Sequence, residues 1–146
     1  MKQRINLSKA ASGGYQNMMA MEKYLHASKL SKTHLELIKI KASQINGCAF
    51  CLDMHTTDAR KNGETEQRIY TLNAWRDTDF FTPEEQAILA LTEEVTLISQ
   101  HVSEATYQQA ADLFDEEYLG LVIFAIITIN SWNRIAITTG LRPTAK

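Results

Sequence analysis

Apolar residues recur along this chain at separations of three and four, the spacing of one helix face, and almost nowhere with the alternation of a strand. Leu35, Ile38, Ala42 and Ile45 form such a stripe, with Ser31 placed to cap its start and Asn46-Gly47 to stop it. A helix over residues 14–27 precedes it, carrying Tyr15, Met18, Met19, Met21, Glu22 and Leu25. Cys48 then opens a third helix that runs to about Asn62, where Asn62-Gly63 repeats the stop signal. A short helix over 64–72 and a loop containing Trp75 and Arg76 follow. Thr82-Pro83-Glu84-Glu85 combines an N-cap threonine, proline at the first helical position and glutamate three residues after the cap. Its helix carries Ala87, Ile88, Leu91, Val95 and Ile98; Ser103 and Asp115 cap two more, the last ending at Gly140 before Pro143. With no strand–helix alternation, internal repeat or linker, the pattern predicts an all-α fold of six to eight helices, one domain over residues 1–146.

The last helix is apolar on every side: Leu119, Leu121, Val122, Phe124, Ile126 and Ile129 leave it no polar face. Such a helix must be covered all round. Either it is the central helix of a monomer, or part of it, with Ile126 as an outward position, meets another subunit of a homo-oligomer. The uninterrupted run, residues 118–129, is too short to span a bilayer.

Composition changes the picture only by exclusion. A net charge of −2, with no Lys/Arg cluster, argues against nucleic acid as a partner. The first residues lack the apolar stretch of a secretory signal, which points to the cytoplasm, where paired cysteines are more often catalytic than structural.

Cys48 and Cys51 are the chain's two cysteines, and His55 lies four residues past the second. On a helix these spacings bring two thiols and an imidazole to one face. An imidazole can take a thiol's proton, and a helix N-terminus favours the thiolate. Three other readings compete. Free cysteines are often buried as small hydrophobes. Structural zinc usually needs four ligands, and His26, His34 and His101 lie at no recognisable ligand spacing. A structural disulfide this short closes too small a loop to restrain the unfolded chain much. A histidine acting as base needs an orienting group. Asp53 and Asp58 are offset from His55 around the helix, whereas Glu36, at the edge of the preceding buried stripe, can reach it if Asn46-Gly47 folds the two helices into a hairpin.

With helices on both sides, this Cys-x-x-Cys does not sit in a thioredoxin fold. Glu36, Cys48-x-x-Cys51 and His55, within the run from Ala42 to Thr56, resemble the signature of the AhpD-like alkylhydroperoxidases of the carboxymuconolactone decarboxylase superfamily. Thr82-Pro83-Glu84-Glu85 and Ser131-Trp132-Asn133-Arg134 are also similar to that family. The resemblance implies an all-helical, oligomeric enzyme, a trimer or a hexamer built from trimers, that reduces organic hydroperoxides without metal or organic cofactor. It implies that Cys51 is the peroxidatic cysteine, Cys48 the resolving one, and His55 with Glu36 the proton relay. Some members carry a second relay histidine where this chain has Phe50. Lactone decarboxylation is not implied, because that branch lacks the cysteine pair.

The expected cycle has Cys51 oxidised to a sulfenic acid, Cys48 condensing with it to a disulfide, and an external dithiol or protein reducing that disulfide. Phe50, Leu52 and Met54 can wall a pocket for an alkyl group or serve as core. Two alternatives use the same pair: a thiol–disulfide oxidoreductase in which a more exposed Cys48 attacks, and a redox-sensing helical protein.

Overall fold

The computed structural model describes residues 3–145. Among them are eight α-helices and no strand: α1 (Leu7–Ala10), α2 (Ser12–Ala27), α3 (Lys32–Asn46), α4 (Ala49–Lys61), α5 (Glu66–Thr71), α6 (Pro83–Thr96), α7 (Glu104–Leu113) and α8 (Glu116–Thr139). Helix starts follow from short polar side chains that accept first-turn amides: Ser31 from His34, Ser103 from Thr106 and Asp115 from Tyr118. At α6 the capping box is complete, Thr82 accepting from the Glu85 amide at 3.2 Å and Glu85 from the Thr82 amide at 2.8 Å. Gly47 (φ 69°) and Gly140 (φ 77°) end α3 and α8 in the left-handed region, which glycine enters without steric cost.

Helix α3 is the axis of the molecule, packed by α4, α6 and α8. Every residue from 35 to 43 is buried, charged ones included. The helix enclosed on all sides is therefore α3, not α8. Helix α8 buries Leu119, Leu121, Val122, Ala125, Ile126 and Ile129 but turns Phe124, Ile127 and Ile137 outward, each nearly half exposed. Ile126, expected to face outward, is wholly buried, because Val122, Ile126 and Ile129 share the face laid against the core. By length and composition α8 is sufficient to cross a membrane, being longer than its uninterrupted apolar run; half of its most apolar window is buried inside this chain.

A second, smaller cluster lies on the other side of α3, where Leu37 and Ile40 meet Ala59, Leu72, Trp75 and Leu89. Trp75 and Arg76, expected in a loop, belong to a 3₁₀ helix, Leu72–Asp77. Burying the Trp75 indole requires a partner for its N–H, and Glu93 supplies one at 3.0 Å. Glu93 also pairs with the buried Lys41 at 3.1 Å and with Arg76 at 2.6 Å, the Arg76 guanidinium lying 4.1 Å from the Trp75 ring centre. Burial works against its charge, but hydrogen bonds from Trp75, Arg76 and Lys41 win and hold the Glu93 carboxyl below its ordinary value.

Replacing Glu93 with glutamine leaves the Lys41 ammonium buried without a counter-charge and is expected to cost about 3 kcal/mol. In the wild type the folded carboxyl binds its proton less readily than the unfolded one. Glu93 thus adds stability above the unfolded carboxylate value of about 4.3, lost as pH falls through the lower folded value. Denaturant unfolding from pH 7 to pH 3 should show a shallower acid loss for Glu93→Gln than for the wild type.

Candidate active site

The reversal at Gly47 folds α3 and α4 into a hairpin and sets Cys48 at the N-cap of α4. Its sulfur accepts from the Cys51 amide at 3.3 Å, and the two cysteines form a disulfide with Cα atoms 5.3 Å apart. The turn is tied down from below. Asn46 donates to Asn130 and Asn133 of α8 at 2.9 Å each, and Asn133 donates to Ser43 at 3.0 Å. These bonds give the Ser131-Trp132-Asn133-Arg134 stretch a structural meaning: it carries the asparagine that fixes the approach to Cys48.

One turn past Cys51, His55 lies with Nδ1 3.1 Å from Glu36 Oε2. Both side chains are buried. A carboxylate so placed fixes the ring orientation and stabilises an imidazolium when a proton arrives. Asp58 instead pairs with Lys61 at 3.3 Å.

Cys51, His55 and Glu36 open onto a cavity of about 750 Å³, within the range of pockets that hold drug-sized molecules. Phe50 and Met54 form one wall, Trp132 and Ile135 of α8 another, and Ile5 and Leu7 of the N-terminal segment a third. Tyr15 meets Trp132 edge-on with ring centres 5.3 Å apart, joining α2 to α8 across the opening. The N-terminal segment is held by the Arg4 amide, which donates to the Thr139 carbonyl at 2.8 Å. Leu52 does not reach this space; it packs against the smaller cluster on the far side of α4.

The two sulfurs are not equivalent. Both cysteines are buried, at 1% and 2% exposure, but Cys51 lines the cavity and Cys48 does not. The expectation of a more exposed Cys48 is thereby corrected. As N-cap, its side chain turns back over the first turn of α4 and into the core.

The sequence reading missed three polar residues on the same cavity wall. Lys39, only 2% exposed, donates to Glu22 at 2.8 Å and lies 3.4 Å from His26 Nε2; Glu22 and His26 are themselves 3.4 Å apart. A signal was present. Lys39 follows Glu36 by one turn inside an apolar stripe, and Glu22 and His26 stand four apart. Among the described residues no group of three or more His, Cys, Asp or Glu is placed to hold a metal ion.

Comparison with known proteins places this geometry in a family. Residues 13–94 match the model of the carboxymuconolactone decarboxylase family. The uncharacterized protein YdfG of Bacillus subtilis is 51% identical over the full length of both chains. A crystal structure from Agrobacterium tumefaciens, of a protein of unknown function proposed as an antioxidant defence protein AhpD, superposes with a TM-score of 0.95. It is 36% identical, with 99% of this chain and 100% of that one covered. The debrominase Bmp8 shares the fold, with TM-score 0.76 and 16% identity over 88% of this chain and 70% of its own. The fold thus hosts more than one reaction. With the helical hairpin, the Cys-x-x-Cys at its turn and the family match together, the chain belongs to the carboxymuconolactone decarboxylase family and is an AhpD-like member of it.

Proposed function

We propose that the protein is a thiol-dependent peroxidase that reduces organic hydroperoxides through Cys48 and Cys51, with Glu36 and His55 as proton relay. One observation carries the reading: a cysteine able to pair with a second thiol faces a largely apolar cavity beside a histidine held by a buried carboxylate. In the reduced enzyme His55 takes the Cys51 proton, and Glu36 stabilises the resulting imidazolium. The thiolate attacks one peroxide oxygen; the S–O bond forms, the O–O bond breaks, and His55 returns its proton to the leaving alkoxide. Cys51 is now a sulfenic acid. Cys48 attacks it from behind, water leaves, and the disulfide forms. An external dithiol or protein thiol then reduces the pair by exchange in the cytoplasm. No metal or organic cofactor takes part.

Cavity size and lining favour a bulky organic hydroperoxide over hydrogen peroxide. The thiol–disulfide oxidoreductase alternative needs an accessible Cys48, and that cysteine is buried away from the cavity.

The reading includes assembly into a homo-oligomer, a trimer or a hexamer built from trimers as the family resemblance implies, through the outward face of α8. Ile123 and Ile127 there border an apolar groove of about 520 Å³ with Ile98 and Tyr107, and Phe124 is nearly half exposed on the same helix. An exposed apolar surface of this kind marks an association face.

Three outcomes are expected. With cumene hydroperoxide in stopped flow, Cys51→Ser consumes no peroxide, while Cys48→Ser reacts once and leaves a sulfenic acid on Cys51 that dimedone traps. A sulfenic acid found on Cys48 in the Cys51→Ser protein reverses the assignment. Glu36→Gln, which keeps the shape but loses the charge beside His55, lowers the rate of that first oxidation about 100-fold; an unchanged rate removes Glu36 from the relay. In light scattering the wild type gives a mass at least three times the single-chain 16.5 kDa, and Ile127→Glu shifts it toward the monomer. A monomeric wild type at micromolar concentration ends the assembly proposal.

A further inference from the structure

The cavity beside Cys51 contains a fixed positive charge that the Glu36–His55 relay does not use. Lys39 is almost completely removed from water, yet it is one of the residues that line the cavity, together with the Glu22 that holds its ammonium. Among the described residues its ammonium donates to Glu22 at 2.8 Å and lies 3.4 Å from His26 Nε2, which engages at most two of the three N–H groups an ammonium can donate. Desolvating an ammonium costs several kcal/mol even when it is paired, and methionine would fill the same volume without that penalty.

The hairpin register sets where this charge stands. Glu36 of α3 meets His55 of α4, and the chain reverses at Gly47 between them, so the helices run antiparallel. Moving along α3 from Glu36 to Lys39 is a rise of about 4.5 Å; moving back along α4 from His55 to Cys51 is about 6 Å. Lys39 and Cys51 therefore lie at nearly the same level along the hairpin, facing one cavity. Glu22, reaching in from α2, holds the ammonium on that wall and keeps it from swinging out to solvent.

When a thiolate attacks a peroxide, negative charge builds on the departing oxygen before a proton reaches it. A donor fixed in advance near that oxygen lowers the barrier most when water is excluded. We propose that Lys39 is that donor, a catalytic residue whose third N–H binds the leaving oxygen of the hydroperoxide during attack by Cys51. Sulfur gives two electrons to the peroxide: the S–O bond forms, the O–O pair departs on the alkoxide, and the proton that makes it an alcohol comes from the His55 imidazolium. Lys39 keeps its own protons throughout. The inference rests on the peroxidase reading of Cys51.

The test compares two reactions of the same reduced sulfur in the Cys48→Ser background. One is oxidation by cumene hydroperoxide. The other is alkylation by iodoacetamide, which needs the thiolate but places no oxygen anion beside Lys39. Lys39→Met is expected to slow oxidation about 100-fold and leave alkylation unchanged, with Lys39→Arg recovering part of the loss. Equal oxidation rates in Lys39→Met and its parent overturn the proposal. So does a parallel fall in both reactions, which would make Lys39 a support for the thiolate or for the fold. If circular dichroism shows that Lys39→Met does not fold, Lys39→Gln, which keeps a polar side chain against Glu22, is read in the same way. A parent protein that alkylates normally but consumes no hydroperoxide removes the peroxidase reading itself and this inference with it; unchanged oxidation in the lysine variants removes the inference alone.

Discussion

The enclosure of α3 is the constraint on which the rest of this molecule depends. A helix buried on all sides would ordinarily be apolar on all sides, yet this one carries Glu36, Lys39, Lys41 and Ser43 within its buried stretch. Each needs a polar partner to offset desolvation. Each finds one on a different helix: His55 on α4, Glu22 on α2, Glu93 on α6 and Asn133 on α8. The apolar contacts supply most of the burial energy, at roughly 1.5–3 kcal/mol for each large side chain. They are tolerant of small rotations, because hydrophobic attraction has no direction. The polar ties are directional, and they fix how each neighbouring helix is turned about its own axis.

That division explains why the site lies where it does. On the face of α3 toward α6, Lys41 is tied to Glu93, which Trp75 and Arg76 also hold, and neither Lys41 nor Glu93 lines the cavity beside Cys51. On the face toward α2 and α4, Glu36 and Lys39 border open space that the N-terminal segment roofs but does not fill. The same kind of buried ionic contact thus serves as a structural tie on one side and as the furniture of a pocket on the other. What distinguishes them is which of the two lines the cavity beside Cys51.

The hairpin turn supplies the asymmetry between the cysteines. An N-cap side chain folds back toward the first amides of its helix, so Cys48 accepts from the Cys51 amide and faces the core. A residue one turn in projects sideways, and the side of α4 on which Cys51 and His55 project is the cavity side. The network of Asn46, Asn130, Asn133 and Ser43 holds the turn rigid beneath them. A sulfur that faces the cavity and a sulfur that faces the core follow from three positions along one helix.

Much of this was legible in the residues. Caps at Ser31, Thr82, Ser103 and Asp115 and stops at Gly47 and Gly140 act through bonds within a few residues, so they mark helix ends before any tertiary contact exists. The three-and-four spacing of Cys48, Cys51 and His55 is equally local, as is the placement of Glu36 at the edge of a buried stripe. What the sequence could not decide was which helix lies in the middle. Residues 119–129 are the more apolar stretch, but α3 took the centre because its charged residues found partners on helices distant in the chain, whereas α8 kept an open face at Phe124 and Ile127. The 3₁₀ segment around Trp75 and the Glu22–Lys39–His26 group were hidden for the same reason. Local pattern records which way a side chain points along its own helix; only the packing of all eight decides what it points at.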